Sequence, residues 1–139
     1  MLPCNAARSF VVIMIVIALS AFCLRITIEQ VMRMTIERNE SDASAALKLI
    51  STALENYAKD NKGAFPQSLK SLVKTSPAYL KRNYISQSAI KGYSYTCPRL
   101  ELDGYTCSAV PTRCGLTGKK VFTITTGESL TIDECKKKE

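Results

Sequence analysis

Residues 9–61 decide the fold: they read SFVVIMIVIALSAFCLRITIEQVMRMTIERNESDASAALKLISTALENYAKDN and contain neither proline nor glycine. The first sixteen, residues 9–24, also carry no charge, and Arg8 and Arg25 bracket them. As a helix this apolar run would be about 24 Å long, slightly short of the roughly 30 Å hydrocarbon core of a membrane, and both arginines can snorkel to the interfaces. The run therefore suits a membrane span, a signal peptide or a packing surface between copies of the chain.

Two kinds of cleavage signal in the apolar run are poorly placed. A secretory signal peptide has a similar apolar length, but its best cleavage motif here, ALS at 18–20 before Ala21, lies inside the run. A lipoprotein signal needs a small residue before the modified cysteine, and Phe22 precedes Cys23. These positions favour keeping the run in the mature chain.

An amphipathic helix is expected to follow the apolar run without a break. Its apolar stripe, at spacings of three and four, consists of Ala43, Ala46, Leu47, Ile50, Ala53, Leu54, Tyr57 and Ala58. The charged residues available for the opposite face are Glu29, Arg33, Glu37, Glu40, Lys48, Glu55 and Lys59. Asn61, Gly63 and Pro66 then supply a stop signal.

The predicted helix runs from Phe10 to Asn61 and would be about 78 Å long. A small domain can cover only the outer half of such a helix. The inner half must be covered by lipid or by other copies of the chain.

Residues 62–139 have the sequence pattern of a small α+β domain. A turn precedes a short helix with Leu69, Leu72 and Val73 on one side. Four short strand-like runs then alternate with glycine-containing turns, at 93–97, 105–110, 120–125 and 129–134. We therefore predict an α+β fold in which a long N-terminal helix packs on a small antiparallel sheet of about four strands.

The charge of the chain is unevenly distributed. Residues 1–61 are neutral overall, so the formal net charge of +7 belongs to residues 62–139. A basic domain suits either an anionic partner or an ordinary solvated surface. The chain has no histidine, which removes the commonest general base and metal ligand, and no nucleophile or phosphate-loop motif is present. We expect no enzymatic activity and no cofactor.

Four of the six cysteines, Cys97, Cys107, Cys114 and Cys135, lie in the last 43 residues. No C-x-x-C pair occurs among them, so two disulfides in an oxidising compartment fit better than a zinc site. The nearby carboxylates of Asp103, Asp133 and Glu134 are too sparse for the oxygen shell of calcium. We therefore expect no metal.

The layout resembles the type IV pilin family, including the pseudopilins of type II secretion. Residues 40–72, ESDASAALKLISTALENYAKDNKGAFPQSLKSL, are similar to sequences in which a helix leads into the pattern N-x-G-x-[YF]-P-x-S-L-x-x-L. The stretches KGYSYTC at 91–97 and TGKKVFTITTGESLTID at 117–133 resemble the pilin sheet, and Ser9-Phe10 matches the junction that a prepilin peptidase cuts.

The resemblance implies a division of the chain into three parts. Residues 1–9 would be a leader, removed before Phe10 is N-methylated. Residues 10–61 would be the long helix, with 10–24 in the membrane or filament core and 26–61 amphipathic. Residues 62–139 would be a disulfide-stabilised globular domain.

The sequence departs from the family pattern at two positions. Ser9 stands where the family usually has glycine, and Met14 stands where the fifth residue of the mature chain is usually glutamate. In the family that glutamate is thought to attract the amino terminus of a neighbouring subunit inside the apolar core. Some minor pseudopilins lack it, so Met14 fits a minor subunit.

The resemblance also bears on the disulfides. Cys97 and Cys107 flank a hairpin that turns near Asp103 and can face each other across two strands. Cys114 and Cys135 would then close the C-terminal strands, as C-terminal disulfides do in many pilins. Four cysteines allow three pairings, and we favour this one.

The function expected from the resemblance is that of a pilin-like structural subunit, assembling through its N-terminal helix into a type IV pilus or a type II secretion pseudopilus. Its partners would be other pilin subunits, a prepilin peptidase, an inner-membrane assembly platform and inner-membrane lipid. It would span the inner membrane once, with its C-terminal domain outside the cytoplasm, and then enter a periplasmic or cell-surface filament. The alternative is a membrane-anchored or secreted basic domain that binds an anionic ligand such as DNA and does not polymerise.

Overall fold

A computed structural model describes the backbone of residues 4–85 and 88–136, with side chains from Ser9 onwards in those ranges. The chain is α+β. Its elements, in order, are α1 (Cys4–Asp60), α2 (Leu69–Lys74), β1 (Tyr93–Glu101), β2 (Gly104–Pro111), β3 (Lys120–Thr125) and β4 (Ser129–Glu134). The chain divides after Met34 into two compact units.

Helix α1 is assigned continuously from Cys4 to Asp60, as expected for a segment without proline or glycine after Ser9. It ends one residue before the predicted boundary. Gly63 adopts φ of +88° and donates its N–H to the carbonyl of Ala58 at 2.7 Å, which satisfies a carbonyl that the helix end leaves free.

The four strands form one antiparallel sheet in the order β1-β2-β3-β4. The bounds of β3 and β4 are those predicted, whereas β1 continues to Glu101 instead of ending at Cys97. The strand can continue through Pro98 because its pairing with β2 is irregular between Thr96 and Arg99. Proline has no N–H to donate, and at such an irregularity no ladder hydrogen bond is required from it.

The core of the second unit lies between α1 and one face of the sheet. The predicted apolar stripe of the helix is buried there, apart from the half-buried Tyr57. The sheet contributes alternate residues, as period-2 alternation requires: Tyr93, Tyr95, Tyr105, Cys107, Ala109, Phe122 and Ile124. Phe65, Leu69, Leu72 and Leu80 close the core beyond the end of the helix.

Glu40 does not lie on the solvated face of α1, where the sequence pattern places it. The residue is only 9% exposed, its Oε1 accepts the backbone N–H of Lys119 at 2.8 Å, and its Oε2 lies 3.4 Å from Nζ of Lys120. The adjacent Asn39 donates from Nδ2 to the carbonyl of Thr117 at 2.9 Å. These contacts hold the loop between β2 and β3 against the helix.

Candidate assembly surface

The apolar run of α1 presents its side chains outward. Each large apolar residue keeps 53–65% of its surface exposed: Phe10, Val11, Val12, Ile13, Met14, Ile15, Val16, Ile17, Leu19, Phe22 and Leu24. Exposure of this many contiguous apolar side chains is not stable in water and marks a surface that meets lipid or protein. By length and composition alone, this is a helix that can cross a membrane.

The exposed apolar surface continues beyond the predicted span. Five more large side chains are 41–58% exposed: Ile26, Ile28, Val31, Met32 and Met34. The first buried residue of the described helix is Ile36, just inside the second unit. Within the predicted amphipathic segment 26–61, burial therefore begins at Ile36.

The predicted processing site lies on this helix. Ser9 and Phe10 are both exposed, Phe10 to 65%, and Met14 projects from the same exposed segment at 54%. No carboxylate stands in the described part of the helix before Glu29. Cleavage and methylation at this junction stay a prediction.

The four domain cysteines form the two disulfides that the sequence favours. Cys97–Cys107 joins β1 to β2, and Cys114–Cys135 joins the loop after β2 to the residue that follows β4. Cys23 is an exposed free thiol on the apolar segment. The disulfides therefore lie wholly in the unit that carries the sheet.

Cationic side chains gather at a groove on the side of the second unit. The groove has a volume of about 420 Å³, and its apolar lining comes from Ala45, Ala46, Leu49, Ile90 and Tyr95. Lys81, Arg82 and Lys91 also line it, and Lys91 pairs with Asp42 at 2.7 Å. Among the described residues neither Lys81 nor Arg82 forms an ion pair. The sequence showed a basic domain but not this convergence.

Aromatic rings support the groove from below. The Arg82 guanidinium lies 5.9 Å from the centre of the Tyr84 ring, which meets Tyr95 edge to face at 5.5 Å. Burial raises the pKa of Tyr95 to about 12, and the neighbouring Tyr84 and Asp42 add to the shift. Tyr95 is thus a neutral part of the floor at physiological pH.

The tip of the β1–β2 hairpin is an exposed apolar residue between two acids. Leu102 is 59% exposed, and Glu101 and Asp103 flank it. Arg99 reaches both carboxylates at 3.1 Å. The carbonyl of Leu102 accepts the N–H of Phe65 at 3.1 Å, which fixes the tip beyond the end of α1.

The described residues contain no group of three histidine, cysteine, aspartate or glutamate side chains placed to hold a metal ion. Of the carboxylates considered from sequence, Asp103 is paired with Arg99, and Asp133 and Glu134 lie at the exposed end of β4.

Comparison with known proteins gives a structural likeness but no family match. No protein-family model matches the chain, and no curated protein matches it. One solved structure to which it is similar is the Neisseria meningitidis non-core minor pilin PilV, at 17% identity over 77% of this chain and 94% of that chain, with a TM-score of 0.42. A likeness at this level does not establish a shared function.

Proposed function

We propose that this chain is a pilin-like structural subunit of a type IV pilus or a type II secretion pseudopilus. The observation that carries the proposal is the exposed apolar segment from Phe10 to Leu24, joined through one helix to a disulfide-stapled α+β unit. The sequence pattern around Asn61–Leu72, which resembles pilin sequences, supports it separately.

The physical role of the apolar segment follows from what covers it at each stage. Lipid covers it while the subunit waits in the inner membrane, and the helices of other copies cover it in the filament. Lipid tails are as apolar as leucine, so this exchange brings little hydrophobic gain, and close packing supplies the attraction. Met14 in place of a carboxylate makes the packed core uniformly apolar.

Intact-mass analysis of the exported chain tests this proposal. A chain that begins at Phe10 and carries one methyl group at its amino terminus supports it. A chain that begins at Ala21, or that retains Met1, supports instead the alternative of a non-polymerising basic domain.

A charge inside the apolar segment tests assembly itself. Val16→Lys should remove the subunit from sheared filaments, because a lysine at the centre of a span costs about 2.5–3.5 kcal/mol. The matched control is Leu116→Lys, which adds the same charge at a 51% exposed position in a loop of the second unit and should assemble normally. Equal recovery of both variants in filaments would contradict the proposal.

A further inference from the structure

The groove beside α1 combines an apolar floor with a cationic rim. Leu49, 57% exposed, and the half-buried Ile90 provide apolar surface. Lys81, Arg82 and Lys91 outnumber the single carboxylate of Asp42. Such a site suits an apolar side chain that carries negative charge beside it, because each part of the occupant then meets its complement.

The hairpin tip of the same chain has that chemistry. Leu102 projects at the turn, and the carboxylates of Glu101 and Asp103 outnumber the single guanidinium of Arg99. Both carboxylates remain accessible, with side-chain exposures of 62% and 73%. The tip is thus acidic on an otherwise basic domain.

The tip cannot occupy the groove of its own chain. The groove lies against Asp42–Leu49 of α1, whereas the tip is bonded to Phe65, beyond the end of the helix at Asp60. The helix from Leu49 to Asp60 alone spans about 16 Å. The tip and the groove lie at different levels along α1, so an occupant of the groove must come from another chain, and a second copy presents a tip with this chemistry.

We propose that the hairpin tip of one copy, residues 101–103, docks into the groove of a second copy, with Leu102 on the apolar floor and its acidic neighbours against Lys81 and Arg82. The contact joins two different surfaces and is therefore heterologous, the kind that extends into rings or helical filaments. It rests on the proposed function, because the apolar helices must first bring the copies together.

The charges in this contact set orientation more than affinity. Exposed ion pairs contribute little on their own, whereas complementary rims guide encounter and fix register. With a volume of about 420 Å³, the groove takes only a short segment, so the contact is small. We therefore expect no stable complex through the tip alone, and a clear contact between copies that are already held in a filament.

Site-specific photo-cross-linking of the full chain in the producing cells tests this inference. The photoreactive residue p-benzoylphenylalanine replaces Leu102 in one variant, Ile17 in a second and Leu116 in a third. We expect copy-to-copy adducts from position 102 that map to peptides containing Leu49 or Tyr84. Position 17 should give adducts through the apolar helices, and position 116, similarly exposed but without acidic neighbours, should give no adduct to those groove peptides.

Charge reversal supplies the specificity test. Lys81→Glu with Arg82→Glu should lower the yield from position 102 about fivefold or more, since like charges then face each other. Arg113→Glu with Lys136→Glu, the same charge change at exposed sites away from the groove lining, should leave the yield unchanged. A further variant adds Arg99→Glu, Glu101→Lys and Asp103→Lys to the reversed groove. These changes reverse the charges of the tip while keeping opposite charges in its internal ion pairs. The yield should then be restored, because opposite charges again face each other.

The outcomes separate this inference from the proposed function. Adducts from position 17 without groove adducts from position 102 overturn the docking contact and leave the filament subunit standing. Adducts from position 102 to a different protein, or to another face of the second copy, also overturn it. Absence of adducts at both positions counts against the filament subunit and the contact together.

Discussion

At the scale of single residues, two carboxylates of α1 hold the loops of the sheet. Glu40 accepts the N–H of Lys119, in the loop before β3. Glu55 accepts the N–H of Gly127, in the turn between β3 and β4, at 2.8 Å, and the hydroxyl of Tyr105, in β2, at 3.0 Å. Because charge-assisted hydrogen bonds are the stronger ones, each carboxylate helps to fix a loop of the sheet against the helix.

Removing the Glu40 carboxylate should destabilise the second unit. Glu40→Ala removes the acceptor of a partly buried hydrogen bond from the N–H of Lys119, so we expect a loss of about 1–2 kcal/mol in the free energy of unfolding. Glu40→Gln keeps an acceptor and loses only the pair with the half-exposed Lys120, so it should cost under about 1 kcal/mol. Urea unfolding of the full chain in detergent, followed by tyrosine circular dichroism, measures both. Equal losses would show that the hydrogen bond to Lys119 contributes nothing.

At the scale of elements, close contact between the loop before β3 and strand β1 requires a glycine. The Tyr93 side chain is fully buried and donates its hydroxyl to the carbonyl of Lys120 at 2.9 Å. A Cβ at Gly118 would collide with that hydroxyl and lie 2.6 Å from Cζ of the ring. Gly118 is therefore required because a side chain there would have no room: the neighbouring group is an aromatic ring held on the sheet.

Gly118→Ala should cost about 1–3 kcal/mol, as overpacking of a filled core does. The cost should fall when Tyr93→Phe is present, because the atom that meets the new methyl group first is then gone. A double-mutant cycle in the same urea assay measures this coupling. The prediction fails if the two changes add, since additivity would mean that the alanine methyl group does not meet the Tyr93 hydroxyl.

The elements themselves could be predicted from sequence because their signals are local. The stripe from Ala43 to Ala58 has helical period, and the strands β3 and β4 alternate apolar and polar residues between glycine turns. The contacts between elements could not be predicted in the same way. Glu40 and Glu37 are equally charged residues on one helix, and only the loop folded onto the helix distinguishes the buried one from the exposed one.

The candidate docking surfaces show the same limit. The groove combines Leu49 with Lys81 and Tyr84, residues from segments more than 30 positions apart, so no pattern along the chain reveals it. The turn at Asp103-Gly104 was predicted, but the exposure of Leu102 depends on how the hairpin extends beyond the helix end. Sequence gives the composition of such surfaces, and the packing of distant elements gives their positions.

At the scale of the whole molecule, the chain separates two chemistries. The helix up to Met34 exposes apolar side chains, whereas the second unit has its own core, two disulfides and most of the net positive charge. Three tyrosines at the centre of that core, Tyr93, Tyr95 and Tyr105, are at most 5% exposed. Their protonation therefore reports on the integrity of the second unit as a whole.

Burial raises the pKa of each of these three tyrosines to about 12, from an ordinary value of 10.0. For Tyr105 the hydrogen bond to Glu55 adds to the rise, while the bond to Ser51 opposes it. Between pH 10 and 12 the unfolded chain loses these protons first, so it binds fewer protons than the folded chain. The free energy of unfolding should be unaffected by these groups below pH 10 and should fall as the pH rises towards 12, by up to about 3 kcal/mol per tyrosine.

An alkaline titration of the full chain in detergent, followed by tyrosinate absorbance and circular dichroism together, checks this prediction. We expect Tyr93, Tyr95 and Tyr105 to ionise late, in step with the loss of the folded signal. Tyr105→Phe should reduce the late absorbance change, because one of these late groups is gone. Ionisation of all six in a single step near the ordinary value, with the folded signal intact, would mean that water reaches the hydroxyls and that the helix does not seal this face of the sheet.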